Sequence, residues 1–176
     1  MVIDKEEIIQ CLDATLDPFA YHPEDDGIVI PDVWHIMYIK KKHPLRVRNL
    51  CALVSLPENI HTNDMARRVF SYIRKRILKQ YGDAFLWKEL EIIFIVLAHD
   101  DAFKALKTHE GKAVDQSGFT MSSMLGSFFI NHETLECFGR STWGIYFSSD
   151  HFKVVSDSLT QWCRDKKTTQ NTKQNT

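Results

Sequence analysis

The feature that most constrains the fold is a run of seven apolar residues at 92–98, preceded by a long amphipathic segment. A short continuous apolar run rich in β-branched side chains is typical of a buried strand. Another strand is predicted over 47–56, where apolar residues alternate on one face. Between them, residues 64–81 carry apolar side chains at helical spacing, and Gly82 follows as a C-terminal cap. Together these segments predict a βαβ unit with parallel strands and a right-handed crossover.

Further elements are predicted on both sides of this unit. A first helix is expected over residues 4–16, because Asp4 is a good N-cap and Glu7 follows three positions later. The remaining predictions are strands at 28–30, 33–40, 125–130, 134–138 and 143–147, and helices at 100–106 and from 150 onward. The predicted order is α-β-β-β-α-β-α-β-β-β-α. The fold class is therefore α+β, a mixed five- to seven-stranded sheet that contains one βαβ unit and has helices packed on it.

The length of the chain predicts one domain. A chain of 176 residues buries roughly 70% of the surface that its unfolded form exposes, so its core needs no disulfide or metal. We predict a single globular domain over residues 1–165. From Lys166 onward there is no apolar side chain, which predicts a disordered polar tail over 166–176.

The cysteines and the N-terminus predict a soluble, cytoplasmic chain. The four cysteines are scattered without zinc-site spacing, and free thiols in a reducing compartment are expected. Cys51 and Cys137 fall inside predicted strands, which favours inert packing over nucleophilic catalysis. The N-terminus does not have the pattern of a secretory signal, and the longest apolar run is far shorter than the roughly 20 residues of a membrane span.

One helix has an unusual charge pattern. The chain carries 22 basic and 23 acidic residues, and its net charge of -1 disfavours a general polyanion binder. Helix 64–81 nevertheless has six cations and no acid after Asp64, although solvated helices usually interleave the two signs. The cluster indicates contact with a phosphate group or an acidic partner, or else a solvated face balanced by acids elsewhere. The binding candidates are Arg67, Arg68, Arg74, Lys75 and Lys79, whereas Arg76 falls near the apolar edge.

The catalytic candidates are His99, Asp100 and Asp101, which directly follow the apolar run. In a βαβ unit they lie at the carboxyl end of a parallel strand, where α/β folds commonly place their chemistry. A histidine and two carboxylates could bind a divalent metal or supply a general base. Either aspartate is equally well explained as the N-cap of the helix that follows. We assign no metal site and no cofactor.

No motif identifies an activity. The sequence contains no nucleophile elbow, phosphate-binding loop or dinucleotide fingerprint. We therefore predict a non-catalytic protein-interaction or regulatory module with a protein partner or self-association, and with no membrane contact. The long polar stretch 107–123 could be a partner-binding segment, a lid or a mobile loop. The alternative is a metal-assisted hydrolase or nuclease, whose phosphorylated substrate would lie on the basic helix, and a nucleic-acid-binding module is third.

Overall fold

The computed structural model describes residues 3–24, 30–31, 33–43, 46–60, 62–81, 90–108, 122–141 and 150–174. The predicted strand at 143–147 lies outside these residues, as do positions 28–29 of the predicted strand at 28–30 and most of the polar stretch 107–123. In the part of the chain that is described, no helix is both long enough and apolar enough to cross a membrane.

A mixed sheet of six strands forms the centre of the described structure, and its spatial order follows the chain. The strands are β1 (His22–Pro23), β2 (Trp34–His43), β3 (Arg46–Ser55), β4 (Leu90–Ala98), β5 (Ser122–Asn131) and β6 (Cys137–Ser141). β3, β4 and β5 are parallel neighbours, and the remaining adjacent pairs are antiparallel. The predicted α+β fold class with a mixed sheet is confirmed.

Helices connect the parallel strands. α2 (Asn63–Tyr81) joins β3 to β4, which confirms the predicted βαβ unit. α3 (Asp100–Thr108) lies between β4 and β5, which are also parallel. The carboxyl ends of three consecutive strands therefore meet at one edge of the sheet.

Both faces of the sheet are covered, which explains the uninterrupted apolar run of β4. Ile92, Phe94 and Val96 belong to a core that also contains Ile73 and Ile77 of α2. The alternate residues Ile93, Ile95 and Leu97 belong to a second core, formed with α1 (Lys5–Leu16) and α4 (Asp150–Gln174). Because successive side chains of a strand point to opposite faces, a strand between two helical layers needs apolar residues at every position.

The strand boundaries differ from the predicted ones where pairing decides them. β1 is not among the predicted strands, and it forms because His22 pairs with Ile39 at the edge of the sheet. β2 continues to His43, beyond the predicted end at residue 40. The predicted strands 125–130 and 134–138 correspond to the antiparallel pair β5 and β6, but β6 begins at Cys137 because Leu135 adopts φ 57 in the turn before it.

The C-terminal residues differ from the prediction more strongly. α4 continues to Gln174, so residues 166–174 are helical where the sequence predicts a disordered tail. In this segment the hydroxyls of Thr168, Thr169 and Thr172 donate to the carbonyl oxygens four residues earlier, which satisfies these side chains within the helix. Lys166 also contacts Glu7 of α1. Residues 166–174 therefore extend a helix whose earlier residues pack in the core, although this segment contains no apolar side chain.

Candidate functional site

The catalytic candidates His99, Asp100 and Asp101 lie at the carboxyl end of β4, where the sequence places them. Backbone hydrogen bonds join this end to its neighbours: Leu56 N–H donates to Leu97 O at 2.9 Å, and His132 N–H donates to Ala98 O at 3.0 Å. α3 begins at Asp100. The N–H of Phe103 donates to the carbonyl oxygen of His99, the residue before Asp100, at 2.9 Å. The N-cap position of α3 is therefore His99, not Asp100 or Asp101 as the sequence suggested.

The carboxylate of Asp100 is already engaged in structural contacts. Its Oδ1 accepts a hydrogen bond from Asn131 Nδ2 at 2.9 Å, and its Oδ2 accepts one from Lys104. The side chain of Asn131 in turn accepts the backbone N–H groups of Glu133 and Thr134, at 2.9 and 3.1 Å. The hydrogen bond from Lys104, together with that from Asn131, lowers the pKa of the Asp100 carboxyl. Asp100 thus links α3 to the turn between β5 and β6.

Two histidines, His99 and His132, lie with Asp100 at the carboxyl ends of β4 and β5, and both side chains are half-buried. Burial lowers the pKa of His132, and the nearby His99 acts in the same direction. Glu133, whose Oε1 lies 3.6 Å from His132 Nε2, partly opposes that lowering. Neutral imidazoles are the form in which histidine accepts protons or binds metals. Within the described residues, however, no group of three or more His, Cys, Asp or Glu side chains could hold a metal ion.

The sequence predicts only part of this group of residues. It indicates the residues after β4 as catalytic candidates but assigns no role to Asn131, His132 and Glu133, which lie between two predicted strands. The missing signal is that β5 is a parallel neighbour of β4, so the residues that follow both strands meet. Asp101 belongs to the predicted set, but its side chain is exposed at the start of α3.

A second candidate region is the outward side of α2, called the basic face below. It consists of exposed Met65, Arg68, Tyr72, Lys75 and Lys79. At about 100° per residue these positions share one side of the helix, opposite the buried Ile73 and Ile77. Over a rise of about 1.5 Å per residue, the cations from position 68 to 79 span about 16 Å.

The basic face combines charge with exposed apolar surface. Met65 is 39% exposed and Tyr72 is 40% exposed. Arg76 lies half-buried beside Tyr72, where its Nε donates to the hydroxyl at 3.1 Å and its guanidinium carbon lies 5.6 Å from the ring centroid. The side chains of Arg67 and Arg74 lie outside the described residues.

A third region is a pocket of about 290 Å³ between α4 and the β5–β6 turn, called the thiol pocket below. Its lining contains two cysteines, Cys137 and Cys163, together with Lys107, Leu135, Glu136, Thr160, Arg164 and Lys167. Hydrogen bonding from the Cys163 thiol lowers the pKa of Cys137 although burial opposes the shift, and Thr160 and the two nearby cations of α4 also lower it. This environment differs from the inert packing that the sequence suggested for Cys137.

Cys51, by contrast, matches the sequence interpretation. It is buried in β3, and burial raises its pKa.

Comparisons with protein-family models, curated proteins and solved structures find no significant match to this chain.

Proposed function

We propose that this chain is a non-catalytic interaction module that binds an acidic segment of a protein partner on the basic face. The observation that carries the proposal is that Arg68, Lys75 and Lys79 are exposed on one side of α2 beside exposed Tyr72 and Met65. None of the ion pairs between described residues involves these three cations. The face is thus an exposed positive surface on a chain whose net charge is only -1.

The chemistry of the basic face supports a protein partner. Tyrosine, arginine and methionine are enriched in protein interfaces, and an aromatic residue among charges is a frequent energetic centre. A partner segment with acidic residues on either side of apolar ones would pair with the cations and cover Tyr72 and Met65. A bare phosphate would leave these two apolar side chains exposed.

The same charges disfavour self-association through this face. In a two-fold symmetric dimer the same patch meets itself, so the cations of one copy would approach those of the other. Like charges across an interface are costly. We therefore propose a different protein as the partner.

The contacts of Asp100 support this function over the alternative of a metal-assisted hydrolase or nuclease. A metal or a general base needs lone pairs that are directed at a ligand. Each oxygen of Asp100 already accepts one hydrogen bond, from Asn131 or from Lys104, so half of its lone pairs are occupied by structural contacts. We further propose that the chain acts in the cytoplasm, because its four cysteines are free thiols, the state that a reducing compartment maintains.

The proposal is tested with two fluorescent probes, an amphipathic peptide of glutamate and leucine and a single-stranded oligonucleotide of equal charge. We expect the peptide to bind more tightly, with an affinity that falls as salt rises. Lys75→Glu replaces an attraction of up to about 1 kcal/mol by a repulsion, so it weakens peptide binding about fivefold or more. Tyr72→Ala weakens it without changing the salt dependence.

The matched control is Lys153→Glu, which reverses the same charge at an exposed position of α4. It leaves peptide affinity within about twofold of the parent, because its site lies on another helix. Equal losses in the two lysine variants would show non-specific attraction and refute the basic face as the binding site. Tighter binding of the oligonucleotide would replace the protein partner by a nucleic acid.

A further inference from the structure

We propose that Cys137 and Cys163 form a redox-active dithiol that reduces a small anionic disulfide and is itself oxidised to an intrachain disulfide. The proposal is independent of the basic face, since it depends on the thiol pocket alone. Its substrate class is a low-molecular-weight disulfide that carries carboxylates.

The positions of the two cysteines suit different roles. Cys163 is buried on the inward side of α4, three turns after Phe152 in the same apolar stripe, whereas Cys137 at the start of β6 is half-exposed. Both line the thiol pocket, and the Cys163 thiol is a hydrogen-bonding neighbour of Cys137. A disulfide that enters the pocket reaches Cys137 first, and the buried thiol lies next to the sulfur that becomes modified.

The charges around the pocket select an anion. Lys107, Arg164 and Lys167 line it together with one acid, Glu136. The Glu136 carboxylate is paired with Lys107 at 3.2 Å. Arg164 and Lys167 on α4 therefore provide the net positive potential that faces Cys137. From the other side of Cys163, α1 contributes a further thiol, that of Cys11, and the carboxylate of Glu7, which is paired with Lys166.

The same groups make Cys137 the attacking thiol. Because the pKa of Cys137 is lowered, more of this thiol is ionised near neutral pH than of an ordinary thiol, and the thiolate is the attacking form. Lower basicity also reduces intrinsic nucleophilicity, so the gain in rate is smaller than the gain in thiolate. The pH at which the rate rises is a more distinctive readout than this gain.

The reaction is balanced as two thiol–disulfide exchanges. The Cys137 thiolate attacks one sulfur of the disulfide RSSR, the S–S bond breaks, and RS⁻ leaves with the electron pair. The Cys163 thiol then loses its proton and attacks the Cys137 sulfur, which expels the second RS⁻. The two thiolates that leave take up the protons of the two cysteines. The pair is oxidised by two electrons, and RSSR is reduced to two RSH.

The test treats the reduced full-length chain with the dianionic disulfide of nitrothiobenzoate. We expect a fast phase that releases two nitrothiobenzoates per chain and whose rate rises at a lower pH than that of an ordinary thiol. Alkylation of the remaining thiols followed by peptide mapping should then find Cys137 joined to Cys163 in the parent chain. This mapping needs no variant, so it does not depend on how well a variant folds.

Variants assign the two roles. Cys163→Ser should release one nitrothiobenzoate quickly and keep a mixed disulfide on Cys137. Cys137→Ser should lose the fast phase, whereas the control Cys11→Ser should retain it, because the Cys11 thiol is half-buried and its pKa is raised by burial. Cystamine, a cationic disulfide, should react about tenfold more slowly than the anionic one after each rate is divided by the rate of the same disulfide with a small free thiol, which removes the difference in leaving group.

Three results would overturn the proposal. The first is a fast phase that survives Cys137→Ser. The second is a mixed disulfide that persists in the parent chain without an intrachain disulfide. The third is an equal normalised rate for cystamine and the nitrothiobenzoate disulfide, which would exclude selection for an anion.

Discussion

Substitution of Asn131 tests whether the residues at the carboxyl end of β4, which the sequence predicts to be catalytic, have a structural role instead. Its side chain donates to Asp100 and accepts two backbone N–H groups of the β5–β6 turn, and the residue is only 1% exposed. A hydrogen bond contributes about 1 kcal/mol net, and a buried donor or acceptor left without its partner costs more. Asn131→Ala removes all of these bonds. We expect it to lower the free energy of unfolding by about 3 kcal/mol.

The measurement is urea unfolding followed by circular dichroism, with linear extrapolation to water. Thr134→Ala is the matched control in the same turn, because it removes a single exposed bond from Glu136 N–H at 3.3 Å. It should cost about 0.5 kcal/mol. A loss below about 1 kcal/mol for Asn131→Ala would contradict the structural role and make Asp100 available as a catalytic group.

Two further predictions concern packing and pH. Gly126→Ala should destabilise the fold by about 1–3 kcal/mol, because its new Cβ would lie 2.5 Å from Cε2 of Phe152. Combination with Phe152→Leu should recover part of that loss in a double-mutant cycle, and strictly additive losses would count against the close approach. Asp100, whose pKa is lowered in the fold, stabilises the protein at pH values above the unfolded pKa of about 3.9. That contribution is lost as pH falls through the lower folded value, so urea midpoints measured from pH 7 downward should decline less in Asp100→Asn than in the parent.

The sequence predicts most of the sheet because the spacing of apolar residues along each segment indicates which of its faces are buried. The run at 92–98 is apolar at every position, since β4 lies between two helical layers. α2 is predicted to within one residue because its apolar spacing and the position of Gly82 agree. Such signals depend on neighbours along the chain, and the structure confirms the βαβ unit that they predict.

Features that depend on distant pairing could not be predicted. β1 exists because His22 and Pro23 meet β2 at the sheet edge, and no period in so short a segment indicates a strand. The contact of Asp100 with Asn131 requires knowledge that β4 and β5 are parallel neighbours. The sequence indicates inert packing for Cys137 because it shows that this residue belongs to a strand, but it does not show that Cys163 approaches from α4.

The two proposed sites belong to different layers of the fold, which makes their tests independent. α2 packs on the core that contains Phe94, whereas Cys163 belongs to the core on the other face of the sheet, with Ile93. Mutations at distant sites with no shared partners usually have additive effects. Lys75→Glu should therefore leave the rate of the thiol reaction unchanged, and Cys137→Ser should leave the affinity for the acidic peptide unchanged. A change in peptide affinity when the parent chain is oxidised would instead show that the sheet couples the two sites, and the module would then be one whose binding is regulated by its dithiol.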